Sequence, residues 1–151
     1  MYIKNFIDNI IENSLENASI ASMNMAYQEK ANTITHGIGT LLSIAGFIAL
    51  LFIAISRGNT WQIISFTVYG TSLVILYLSS TIYHGLSNTK IKKIFQVFDH
   101  SAIYLLIAGS YTPITLISLR GAWGWTLFGL VWGIALIGIL MKAFFFNKTQ
   151  V

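Results

Sequence analysis

The chain has 151 residues, 55% of them apolar and only 9% charged, with a formal net charge of +4 and a mean hydropathy of +0.69. Soluble domains carry about 25% charged residues, so polar groups are too few to cover a water-facing surface, and a soluble enzyme is excluded. The absence of cysteine excludes disulfides, thiolate metal sites and a cysteine nucleophile, and the nine basic residues, scattered between apolar runs, make no phosphate-tracking stripe for nucleic acid.

In chain order, residues 1–28 come first. Ile3, Phe6, Ile7, Ile10 and Ile11 recur at helical spacing, with Lys4, Asp8, Asn9, Glu12, Asn13 and Glu16 between them. The pattern predicts a short amphipathic helix on the inner membrane surface, with a disordered Asn-rich leader as the alternative. A secretory signal is excluded, because its apolar run and cleavage pattern are missing.

Four stretches without formal charge follow: between Lys30 and Arg57, Arg57 and Lys90, Asp99 and Arg120, and Arg120 and Lys142. They predict spans at about 37–56, 61–84, 99–119 and 122–142. Eighteen helical residues reach roughly 27 Å, close to the hydrocarbon thickness of a bilayer. Only helices satisfy the backbone there without leaving an open sheet edge in lipid. The expected fold is an all-α polytopic membrane helix bundle, with a transmembrane domain over 29–146 and a polar tail at 147–151.

Lysines and arginines set the expected orientation. Lys4, Lys30, Lys90, Lys92, Lys93, Lys142 and Lys148 fall on one side, and only Arg57 and Arg120 on the other. This bias predicts a cytoplasmic N-terminus and a cytoplasmic loop between spans 2 and 3. Trp61, Trp123 and Trp125 then lie at the outer interface, and Phe144 to Phe146 near the inner one. In span 3, Pro113 cannot donate to the carbonyl of Gly109, so it kinks or ends the helix there. In span 4, Gly129 and Gly133 form a GxxxG pair, with Gly138 beyond it. Packing within the chain is the favoured reading of that pair, and a homo-oligomer or companion chain the alternative.

Ionisable groups near the membrane carry whatever chemistry the chain has. Glu29, Asn32 and His36 are spaced i, i+3, i+7 on one helix face, with Thr35 beside them. Ser80 and His84 are spaced i, i+4, which puts hydroxyl and imidazole together at the inner end of span 2. Asp99 opens span 3, level with His84. A carboxylate or imidazole near hydrocarbon usually faces a partner or a cavity. The plainer readings are an interfacial His84 and an Asp99 that caps helix 3. His100 lies about 100° around the helix from Asp99.

The pattern Glu29-x-x-Asn32-x-x-Thr35-His36, then Ser80-x-x-x-His84, then Asp99-His100-Ser101-Ala102-Ile103-Tyr104 and Tyr111-Thr112-Pro113 resembles the haemolysin III family. This is the bacterial branch of the progestin and adipoQ receptor (PAQR) family. The resemblance implies a seven-helix membrane fold, of which four helices are present here, and a cytoplasm-facing zinc site. It makes His84 the metal-ligand candidate, Ser80 a candidate for orienting metal-bound water, and Asp99 the group that supports that water. Glu29, Asn32, Thr35 and His36 match a first motif whose role the resemblance leaves open. Related receptors and alkaline ceramidases imply hydrolysis of a lipid amide.

The family pattern completes its zinc site with a His-x-x-x-His pair in helix 7, and the sequence contains no such pair. A catalytic zinc generally needs three protein ligands and an open position. The expectation is therefore a partial zinc site in a C-terminally truncated family member, inactive alone, in the cell membrane with lipid around it. The alternative is a membrane-perturbing or pore-forming cytolytic protein, as the family name implies.

Overall fold

The computed structural model describes residues 2–145. Among them are four helices: α1 (Tyr2–Arg57), α2 (Thr60–Gly85), α3 (Thr89–Pro113) and α4 (Ala122–Phe145). A π-helical turn, Ile114–Ser118, continues α3. All four are long and apolar enough to cross a membrane, and no strand occurs among the described residues. Each helix packs on the next, so the four form an open row with α1 and α4 at its edges.

The interior is built from small residues. Buried positions are Ala54, Ala102, Ala108, Ala135 and a set of serines and threonines, with Leu116 the one larger apolar side chain among them. Large apolar residues point outward instead: Leu41 is 69% exposed, Phe52 71% and Ile134 60%. This inversion is what a lipid solvent demands, because burying leucine against protein gains little when the alternative is acyl chain, whereas small residues let backbones approach. At Gly70 a Cβ would collide with the Phe47 ring of α1, and at Gly138 with the Tyr104 ring of α3. The buried hydroxyls mostly donate to their own helix, as Thr40 does to the His36 carbonyl at 2.9 Å and Thr112 to that of Ala108 at 2.9 Å.

Local signals set the helix ends. Asn59 starts α2 in a capping box: its side chain accepts from the Gln62 N–H, and the Gln62 side chain accepts from the Asn59 N–H. The Asn88 side chain accepts from the N–H groups of Lys90 and Ile91 and starts α3. Pro113 ends the regular α-helix, as its missing N–H requires, and Leu119 then donates to Ile114 across the π-turn at 2.9 Å. Gly121, at φ +130°, turns the chain into α4.

Four expectations change. Residues 2–28 are not a separate surface helix or a disordered leader: they are helical and continuous with span 1, in one rod of 56 residues. Nothing before Gly37 is a glycine or proline that would break it. Asp99 does not open or cap helix 3, because Asn88 caps it and Asp99 lies eleven residues further along. The lysines expected in a loop, Lys90, Lys92 and Lys93, instead occupy the first turns of α3. Gly129 and Gly133 do not pack within the described chain, since a Cβ at either would meet nothing within 4 Å. They lie on the side of α4 opposite Gly124, Ala135 and Gly138, which face α3 and its π-turn.

The end opposite the α2–α3 loop is aromatic. Arg120 sits 5.0 Å over the Trp61 ring, which meets Trp125 edge-on at 5.9 Å. Trp123 is exposed there, and Phe144 is exposed at the other end. Phe146 and the polar tail at 147–151 lie outside the described residues.

Candidate functional site

At the α2–α3 loop end, three helices converge on one carboxylate. Glu29 of α1 presents Oε2 to His84 Nδ1 of α2 at 2.8 Å and Oε1 to Lys92 Nζ of α3 at 3.0 Å. Burial pushes the Glu29 carboxyl up, but the hydrogen bonds from His84 and Lys92 and their charges outweigh it and hold the group below the usual carboxylate value. An ionised carboxylate can only accept, so the His84 proton facing it is on Nδ1. That leaves Nε2 of His84 as the ring nitrogen without a hydrogen bond among the described residues. A histidine held through one nitrogen by a carboxylate, with the other turned away, is the arrangement that fixes an imidazole for metal ligation.

Around this pair lies a second layer. His36 Nδ1 meets Ser80 Oγ at 2.5 Å, and its ring stands edge-on to that of His84 at 5.5 Å. Ser80 is buried, one turn before His84 on α2. Below them Thr40 and Thr81 share a hydrogen bond of 3.2 Å between α1 and α2. The i, i+3, i+7 spacing works as the sequence predicts: Glu29, Asn32 and His36 are all half-buried on one side of α1. Thr35 is on the other side, exposed, with its hydroxyl donating to the carbonyls of Ala31 and Asn32.

Asp99 reaches this level from α3. Gly109 of α3 packs on Ser72 of α2. Ten residues back along one antiparallel helix and ten forward along the other place Asp99 opposite Ile82, within one turn of His84. The carboxylate is half-buried and within electrostatic reach of Tyr83. His100 is turned to its own helix, donating from Nδ1 to the Gln96 carbonyl at 2.6 Å.

Glu29, Thr33, His84, Ser87, Thr89 and Lys92 line an open cleft of about 640 Å³ beside the pair. Three residues around the pair escape the sequence reading. Thr33 is four residues after Glu29 and faces Gly85, a spacing that could have flagged it. Tyr83 leans on His84 with ring centroids 4.7 Å apart. Lys92 looks like a topology charge until the Asn88 cap is recognised as the start of α3.

The residues present fit a metal centre only in part. They supply one imidazole and its orienting carboxylate, and among the described residues no group of three or more His, Cys, Asp or Glu side chains is placed to hold an ion.

Residues 25–151 match the family described as Haemolysin-III related. The chain is 50% identical over 121 residues to Hemolysin-3 of Bacillus cereus, covering 80% of this chain and 55% of that protein. It is likewise 50% identical over 121 residues to the Hemolysin-3 homolog of Bacillus subtilis (strain 168), covering 57% of it. Human monocyte to macrophage differentiation factor is 30% identical over 92 residues, which is 58% of this chain and 37% of that protein. No solved structure matches. The chain belongs to the haemolysin III-related family of multi-pass membrane proteins, and it spans a little over half the length of the bacterial relatives it matches.

Proposed function

We propose that the chain is a cell-membrane protein with a cytoplasmic N-terminus whose Glu29–His84 pair forms the first part of a zinc site of the kind used to hydrolyse lipid amides. The observation that carries this reading is the 2.8 Å contact of His84 Nδ1 with the Glu29 carboxylate, which leaves Nε2 as the ligand atom. Ser80 and Asp99 are the candidate catalytic groups beside it. Glu29 gains the role that the motif alone left open: it orients the ligand. The orientation rests on the lysine bias and on its agreement with the polar end of the bundle.

A catalytic zinc needs more ligands than this set offers, so no hydrolytic step is assigned to these residues. The missing ligands would come from a further helix or a companion chain, and the open Gly129–Gly133 face of α4 is the proposed place for it or for a second copy. The relatives' name carries a second reading, a membrane-perturbing protein. The structure offers it little, since most buried hydroxyls bond their own helices rather than line a common channel.

Titration of the purified chain with zinc in detergent tests the proposal. Weak binding that disappears in His84→Ala and persists in His100→Ala is expected. Binding that is unchanged in His84→Ala overturns the ligand assignment.

A further inference from the structure

We infer that Lys92 is the positioning residue of this site, aiming the Glu29 carboxylate so that one oxygen meets His84 Nδ1. The inference rests on reading Glu29 and His84 as the working pair.

The two carboxylate oxygens are divided between two helices: Oε2 to His84 of α2, Oε1 to Lys92 of α3. The terminal torsion of a glutamate side chain is broad and roughly two-fold, so a single contact from His84 would leave the carboxylate plane loosely defined. A second, charged donor on the other oxygen fixes that plane. Lys92 is itself held, with its ammonium 5.2 Å from the Tyr83 ring centroid. Tyr83 in turn leans on His84, so the cation, the ring, the imidazole and the carboxylate close a loop across three helices.

The other nearby lysines do not do this. Lys30, Lys90 and Lys93 are exposed, and neither salt bridge among the described residues uses them. Positive charge for topology needs only their number, whereas Lys92 is half-buried at a defined position, the fourth residue of α3. An exposed ion pair alone would be worth little. What sets this one apart is that its acceptor also governs which nitrogen of a neighbouring imidazole carries the proton.

Nitrogen-15 NMR of histidine-labelled full chain in lipid nanodiscs, without metal and at neutral pH, tests the inference. The signals of His36, His84 and His100 are assigned by single His→Ala variants. The wild-type chain is expected to show His84 with its proton on Nδ1. Lys92→Met, which keeps the stem and removes the charge, should lose that single tautomer and give averaged Nδ1 and Nε2 shifts, leaving His100 unmoved. Lys92→Arg should restore it. A merely structural lysine would lower stability without changing the His84 tautomer, and an unchanged tautomer in Lys92→Met overturns the inference. Should Lys92→Met fail to fold, Lys92→Gln is read by the same criterion. The measurement needs no zinc, so its outcome is separate from the titration: zinc lost in His84→Ala with an unmoved tautomer in Lys92→Met refutes Lys92 alone.

Discussion

Helices α2 and α4 are of similar length, and both are apolar and contain glycine, yet they live differently. α2 is flanked by α1 and α3, buries Ser65, Gly70, Ser72, Ser79 and Ser80, and carries the site. α4 is packed on one side only, and 6% of its apolar window is buried against 28% for α2. The same residue type therefore does opposite things: Gly70 is a notch filled by Phe47, while Gly129 and Gly133 are open. Apolar content reports the membrane for both helices. Which of them meets protein is decided by where the small residues find a partner.

Glycine replacement is the most severe way to break this contrast. Gly70→Leu pushes side-chain atoms into the Phe47 ring and should destabilise by about 1–3 kcal/mol, while Gly129→Leu should stay within about 0.5 kcal/mol. Thermal unfolding of both variants in detergent measures the difference, and equal losses would mean that α4 is covered where the structure leaves it open. A smaller effect sharpens a polar tie that α4 makes inward. Trp132 donates from Nε1 to Thr112 Oγ1 at 3.2 Å, and Trp132→Phe should cost about 1 kcal/mol by the same assay. Thr112 keeps its bond to Ala108, so a much larger loss would point to packing instead.

The smallest expected effect belongs to the α2 side and depends on pH. Glu29 is held below its ordinary value of 4.5, so the folded state binds its proton less readily than the unfolded state. Its contribution is complete above that value and declines as pH falls through the lower folded one. Unfolding midpoints between neutral pH and pH 3 should therefore drop slightly more for the wild-type chain than for Glu29→Gln. Parallel curves for the two would remove Glu29 from the acid response.

The spans were legible because charge is absent from them, and a helix in lipid needs little else. The meeting of Glu29, His36, Ser80 and His84 was legible too, since helical spacing and an antiparallel hairpin suffice to bring them to one level. Pair identities were not. Spacing could not tell that Glu29 would take His84 while His36 took Ser80, because that depends on how far α1 is rotated against α2, which Gly39, Gly70 and the rings they receive decide. The start of α3 was hidden by its lysines, which oppose the helix dipole and read as loop. The Asn88 cap and the Glu29 contact of Lys92 outweigh that preference. The openness of Gly129 and Gly133 could not be read from the motif, which looks the same whether or not a partner is present.

The unbroken α1 has a mechanical consequence. A rod of 56 helical residues is about 84 Å long, of which roughly 30 Å suffices to cross the bilayer. Glu29 therefore stands on a stiff mast rather than a loop, and its azimuth is inherited from the membrane-embedded turns below. Inserting one residue between His36 and Gly39 would swing everything above it by about 100°, carrying the carboxylate off the imidazole while leaving the span itself intact. A load applied near Tyr2 would travel down the same shaft to Glu29.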